Sequence, residues 1–244
     1  MRDYAKEIQL RVDWIKQKMA QSGACGFVFG NSGGKDCALV GILCKMASEK
    51  TIGVIMPCQS KQNYTSDMED AKKVANQFGI ETRIVDLTEA KVALVNALKD
   101  NTNPDYDKPT AIANLNPRMR MATLYTIAQT ENCLVVGTGN RSEIALGYFT
   151  KWGDGGYDLN PIGDLTVREV YEFLDYLNAP LSIRTKKPSA GLWEGQTDEQ
   201  ELGITYDEVD DYLLYGKATK ATKERVDRSI KNSKHKHSLT IYPN

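Results

Sequence analysis

Residues 27–44 read FVFGNSGGKDCALVGILC. An apolar run, Phe27 to Phe29, ends in Gly30; Asn31, Ser32, Gly33 and Gly34 follow; then Lys35 opens a segment with helical apolar spacing. Strand, glycine turn and helix in that order make an anion site. Glycines let the backbone approach closely, its N–H groups converge, and the helix N-terminus adds partial positive charge. Asp36 stands in the middle of this arrangement. A carboxylate repels phosphate unless a cation lies between them, so Asp36 points either to a metal-bridged phosphate or to an acid favoured by the helix dipole.

Two common nucleotide motifs do not fit. A Walker A loop needs G-x-x-x-x-G-K-[ST], but Phe29 occupies the first glycine position and Asp36 follows Gly34-Lys35. The dinucleotide fingerprint G-x-G-x-x-G fails because Gly30, Gly33 and Gly34 are wrongly spaced.

Outward from this stretch the chain alternates. Ile8, Val12, Ile15 and Met19 recur at helical spacing before it. After it come a strand TIGVIMP, a helix SDMEDAKKVANQFG with Ser66 as N-cap and Glu69 three positions on, and a strand ETRIVDL. A helix opened by Thr88, a long helical segment NLNPRMRMATLYTIAQT and a fourth strand NCLVVGTGN complete the series. Strands alternating with helices predict an α/β fold, a doubly wound parallel sheet of Rossmann type flanked by helices. Its ligand belongs at the carboxyl ends of the strands, near the switch in strand order. Residues 150–164, TKWGDGGYDLNPIGD, read as a loop with the composition of a closing lid, and the remainder as a mainly helical C-terminal part. No repeat or long linker divides the chain, so residues 1–244 are expected to form a single domain.

The chain has 244 residues and a formal net charge of −1, with 41% hydrophobic and 26% charged residues. That near-neutral balance gives no nucleic-acid footprint and no polybasic membrane anchor. No apolar run approaches the roughly 20 residues of a membrane span, and the start lacks the pattern of a secretory signal. Five cysteines, at 25, 37, 44, 58 and 133, show no C-x-x-C spacing. They predict neither a zinc site nor a disulfide framework, and a reducing cytoplasm suits them.

Ser32 to Asp36, S-G-G-x-D, resembles the pyrophosphate loop of the ATP pyrophosphatases. Downstream, NPRMRMATLY (116–125), GTGNRSEIALGYFTKWGDGGYDLNPIGDLT (137–166), KKPSAGLWEGQTDEQELGITYDEVDDYL (186–213) and HK (235–236) fall in order. Together these blocks resemble the ammonia-dependent NAD+ synthetase family along essentially the whole chain. The resemblance implies an adenine-nucleotide alpha hydrolase-like fold, a homodimer, and three reactants: ATP, deamido-NAD+ and ammonia. Ser32 to Asp36 would hold the pyrophosphate of ATP within an ATP-binding stretch from Gly30 and Asn31 through Gly33, Gly34 and Lys35 to Cys37, with Lys35 adding positive potential, and Thr138 and Ser189 would contact the nucleotide. Asp36 and Glu143 would bind Mg2+. Arg118, Lys151, Asp158 and the pair His235-Lys236 would contact deamido-NAD+, and Asp158 would accept a proton from ammonium.

The match departs from the family at two places. Cys37 stands where the family usually has serine, and Val167 where it usually has an ATP-binding lysine. Arg168, the next residue, would point about 100° away on a helix; Lys186 or Lys187 are candidates to compensate. Taken without the resemblance, Glu143 reads first as a solvated helix carboxylate, although its place just after the strand-end GTGN favours a metal; Arg118 and Arg120 read as surface charges, His235 as part of a basic tail, and Trp152 and Trp193 as packing.

The implied reaction is attack of the deamido-NAD+ carboxylate on the α-phosphorus of ATP, then displacement of AMP by ammonia. Two other classes compete. A tRNA-thiolating enzyme lacks support because paired cysteines and a basic surplus are missing. A passive nucleotide-binding module would have no need of two metal carboxylates.

Overall fold

The structure is a computed structural model that describes residues 2–58, 66–99, 109–186 and 198–238. The predicted alternation is present: α1 (Tyr4–Ser22), β1 (Phe27–Gly30), α2 (Lys35–Ala47), β2 (Thr51–Ile55), α3 (Ser66–Phe78), β3 (Glu81–Ile84), α4 (Thr88–Lys99), α5 (Pro109–Ala113), α6 (Leu115–Glu131), β4 (Leu134–Val136) and α7 (Arg141–Leu146). Five helices complete the C-terminal part: α8 (Val167–Tyr176), α9 (Leu181–Arg184), α10 (Asp198–Leu202), α11 (Tyr206–Tyr215) and α12 (Lys220–His237). Ser66 is the first helical residue of α3 rather than a residue preceding the helix.

All strand pairs are parallel, in the order β3-β2-β1-β4. The chain builds from β1 outward through β2 to β3, then crosses to lay β4 on the other side of β1. The topological switch therefore lies between the ends of β1 and β4, where a ligand crevice opens in such sheets.

Side-chain alternation along β1 sorts the core. Phe27 and Phe29 join Ile15, Leu39, Leu43 and Phe173 on the face covered by α1, α2 and α8. Val28 joins Ile52, Val54, Val135 and Ala128 on the face covered by α6. A third cluster, Leu146, Val167, Ile204, Tyr206, Val209 and Val226, ties the C-terminal helices to α7 and α8. The edge strand β3 is the least buried of the four.

Local chemistry fixes the ends of several elements. Gly23, at φ 73, ends α1 in the left-handed conformation that favours glycine. Asn140/Glu143, Thr166/Glu169 and Thr205/Glu208 form reciprocal capping boxes at α7, α8 and α11. Residues 150–164 are irregular, with a single parallel bridge from Leu159 to Val136. Among the described residues, no helix is long and apolar enough to cross a membrane.

Candidate active site

The turn after β1 is held from beneath. The Asn31 N–H donates to Val54 O at 2.8 Å, and its buried side-chain amide donates to Ala71 O at 3.2 Å in α3. Gly33 has φ +73, and a Cβ there would lie 2.1 Å from the Asp67 carbonyl oxygen. Both backbone conformation and close approach demand glycine at that position. Gly34 caps α2 in an extended conformation with no side-chain cap, so the first-turn N–H groups of α2 are left for a ligand. Ser32 Oγ lies 3.0 Å from Cys37 Sγ, and the Gly34 N–H approaches the same Oγ at 3.3 Å. Burial pushes the Cys37 thiol up, so it serves as a neutral polar neighbour of Ser32.

The turn after β4 meets this loop through Asn140, which is fully buried. Its amide donates to Asp36 Oδ1 at 3.1 Å, and its Oδ1 accepts from the Glu143 N–H at 3.0 Å. Glu143 returns the contact by accepting from the Asn140 N–H at 3.1 Å. One side chain thus couples the two carboxylates the sequence singled out. Burial, and then the charge of Asp36, hold the Glu143 carboxyl well above its ordinary range. Lys35, also buried, donates to Asp36 Oδ2 at 2.6 Å. Burial alone would lower the Lys35 pKa, but Asp36 and Glu143 reverse that and keep it charged.

These groups line a cavity of about 1150 Å³ at the switch point. Its walls include Gly30 to Ser32 and Gly34 to Cys37 from the first turn, Thr138 from the second, and the loop residues Gly153 to Tyr157. Lys236 reaches the cavity from α12 and donates to Gly147 O and Phe149 O, each at 2.7 Å. The C-terminal basic segment is therefore docked helix, not a tail. Trp152 is 53% exposed with φ 60, and the Lys151 ammonium lies 5.5 Å from its ring centroid.

Some predicted contacts lie elsewhere. Arg118 is exposed and, like Lys151, Asp158 and His235, does not line the cavity. Two residues along α6 is about 200° of rotation, so only one of Arg118 and Arg120 can face inward. Arg120 does, with its Nε donating to Met56 O at 3.1 Å. Asp158, read as a proton acceptor, is held at the strand end. Its oxygens accept from Tyr125 Oη at 3.1 Å and the Val135 N–H at 2.8 Å, which ties it to β4 and α6 outside the cavity lining. The carboxylate that does face the cavity from that loop is Asp154. Asp154 stays open to solvent at the cavity wall, and the protein crowding it pushes its pKa up, partly offset by hydrogen bonds such as that from the Thr150 N–H at 2.9 Å.

Val167 is buried in the third apolar cluster, and Arg168 pairs with Asp207 and Asp211 on α11, so neither supplies a cation to the cavity. Lys186 does line it. Ser189, Lys187 and Trp193 lie outside the described residues. Asn140 is a residue that sequence reasoning missed, although the N-x-x-E spacing of a capping box was its available signal.

Two carboxylates carried by the turns after adjacent strands suit a hard divalent cation. Mg2+ is commonly held by one or two protein carboxylates, its octahedron completed by water and phosphate oxygens. Each Asp36 oxygen has a second lone pair beyond the one facing Lys35 or Asn140. Mutual repulsion between Asp36 and Glu143 is what such an ion would relieve. Among the described residues, no group of three or more metal-ligating side chains occurs, so a closed, all-protein metal cage is not present there.

Comparison with known proteins agrees with this geometry. The NAD synthase family model matches residues 7–241. The NH3-dependent NAD+ synthetase of Carboxydothermus hydrogenoformans is 47% identical over 99% of this chain and 98% of its own. Among solved structures, an NMN synthetase from Francisella tularensis superposes with a TM-score of 0.93 at 35% identity, covering 100% of both chains. An NH3-dependent NAD synthetase from Campylobacter jejuni superposes with a TM-score of 0.80 at 29% identity, again covering 100% of both chains. A parallel sheet with an S-G-G-x-D turn at its switch point, together with a family match along nearly the whole length, means that this chain belongs to the NAD synthase family.

Proposed function

We propose that this protein is an ammonia-dependent NAD+ synthetase, a ligase that amidates deamido-NAD+ at the expense of ATP. The observation that carries the reading is the junction of Asp36, Asn140 and Glu143, which joins the two strand-end turns in one cavity. A carboxylate is a poor electrophile, because ammonia cannot displace oxide from it at neutral pH. Its oxygen therefore attacks the α-phosphorus of ATP, and pyrophosphate leaves. Ammonia then attacks the resulting mixed anhydride, and AMP leaves with that oxygen.

The chain's own groups act mainly by positioning and charge. The amides at the start of α2 and the Lys35 ammonium face the departing pyrophosphate, and Thr138 faces the nucleotide from the second turn. Asp36 and Glu143 would hold Mg2+, which when bound neutralises charge on the leaving pyrophosphate. Asp154, the carboxylate that lines the cavity from the 150–164 loop, takes the proton from ammonium. The loop 150–164 excludes water that would hydrolyse the anhydride. Arg118, Lys151, Asp158 and His235 lie outside the protomer's cavity. That placement supports a homodimer in which they contact the far part of deamido-NAD+ at the subunit boundary. We place the enzyme in the cytoplasm and take residues 1–244 to work as one domain.

A second reading rests on the 0.93 TM-score to a protein described as an NMN synthetase. Under it, nicotinate mononucleotide is the acceptor and the rest of the chemistry is unchanged. Purified protein with ATP, Mg2+ and ammonium, offered each acceptor in turn, tests both. A higher kcat/KM for deamido-NAD+ supports the first reading, a higher value for the mononucleotide supports the second, and turnover of neither removes both.

A further inference from the structure

Lys186 follows α9 and reaches across to the loop after β1. Its ammonium donates to Asp67 Oδ1 at 2.8 Å, Asp70 Oδ2 at 3.1 Å and the Gly33 carbonyl oxygen at 3.1 Å. Asp67 and Asp70, on the first turns of α3, are only 9% and 7% exposed. Lys73 lies 3.3 Å from the other oxygen of Asp70. Among the described residues, two ammonium groups thus face two carboxylates.

We infer that Lys186 is a positioning residue for the triphosphate loop, acting through the Gly33–Gly34 peptide. A trans peptide is planar, with its C=O and N–H pointing in opposite directions. Gripping the Gly33 carbonyl from the α3 side therefore fixes the direction of the Gly34 N–H, beside Ser32 Oγ on the cavity wall. The same ammonium cancels carboxylate charge that would otherwise repel the β and γ phosphates. The loop cannot be held here by a larger residue at 33, because a Cβ would strike the Asp67 carbonyl. With Val167 buried in the apolar cluster and Arg168 paired on α11, Lys186 is, among the described residues, a cation that braces this edge of the loop.

This inference rests on the reading that the loop receives the pyrophosphate part of ATP, and the test separates the two. Affinities for Mg-ATP, Mg-pyrophosphate and AMP are measured by calorimetry on the full chain and on Lys186→Met, Lys186→Gln and Lys186→Arg, with thermal unfolding recorded for each. Lys186→Met should weaken Mg-ATP and Mg-pyrophosphate about tenfold, the scale of a charged hydrogen bond lost from a buried partner. AMP, which lacks the β and γ phosphates, should change less than about twofold. Lys186→Gln, which can still donate to Gly33 but carries no charge, should fall between, and Lys186→Arg should restore most of the affinity. Adding Asp67→Asn to Lys186→Met should recover part of the loss. Equal weakening of all three ligands, or unchanged pyrophosphate affinity in Lys186→Met or in Lys186→Gln, overturns the inference. Failure of the unaltered protein to bind pyrophosphate at all overturns the reading of the loop itself, and this inference with it.

Discussion

Gly23 and Gly33 share a φ of +73 but differ in what surrounds them. At Gly23 a Cβ would meet nothing within 4 Å, whereas at Gly33 it would lie 2.1 Å from the Asp67 carbonyl oxygen. Alanine at either position carries the left-handed backbone penalty of about 1–2 kcal/mol. For a chain of this size that lowers Tm by about 2–8 °C. Gly33→Ala adds a displacement, since a Cβ 2.1 Å from the Asp67 oxygen must retreat by more than 1 Å to reach the ordinary contact distance of 3.4 Å. The phosphate-facing amides move with it, and an error of about 1 Å in a reacting geometry costs on the order of 100-fold. We expect Gly23→Ala to lower Tm with kcat/KM for ATP unchanged. Gly33→Ala should lower Tm at least as much and kcat/KM by about 100-fold. Steady-state pyrophosphate release at varied ATP, paired with thermal unfolding, measures both. A kcat/KM for Gly33→Ala within about twofold of the unaltered protein, or an equal kinetic loss in Gly23→Ala, refutes the argument that close approach to α3 sets the loop.

Asp36→Asn should retain the fold, because an amide oxygen can still accept from Asn140, yet lose turnover by about 1000-fold; near-normal pyrophosphate release in a folded variant removes the metal role. Ammonium should sustain turnover while glutamine alone should not, as product formation from purified protein with each nitrogen source will show. A pH effect is expected at Asp210, which is 1% exposed and has a pKa raised above 3.8 by burial, offset in part by the Ser142 hydroxyl and the Arg168 N–H. The folded state then keeps a proton that the unfolded state has lost, so stability falls as pH rises from about 3.8 through the raised value. Asp210→Asn should flatten that slope in denaturant unfolding across pH 4 to 7, and an unchanged slope would contradict it.

The turn from Gly30 to Asp36 was legible because its chemistry is local. Glycine spacing, the preceding apolar run and the following helix all lie within eighteen residues of sequence. The sheet followed for the same reason, since period-2 and period-3.6 patterns report which face each element buries. The sequence does not say which way a side chain points from a given turn. Arg118 and Arg120 look equivalent along the chain, and only the packing of α6 turns Arg120 into the cavity. Asp158 and Asp154 belong to one loop, but the bond from the Val135 N–H draws Asp158 to the strand. Lys186 stands out in the sequence only as one of two lysines able to compensate for Val167, and its partners are not legible there. Its partners Asp67, Asp70 and Gly33 lie far away in sequence and meet it where the chain leaving α9 passes the start of α3.

Transfer of the acceptor's carboxylate oxygen to phosphorus is the central chemical claim, and isotope labelling tests it directly. Deamido-NAD+ carrying oxygen-18 in its carboxylate is turned over with ATP and ammonium, and the AMP and pyrophosphate are weighed by mass spectrometry. The account requires one labelled oxygen in AMP and none in pyrophosphate. Label in pyrophosphate, or unlabelled AMP formed alongside amidated product, would contradict it.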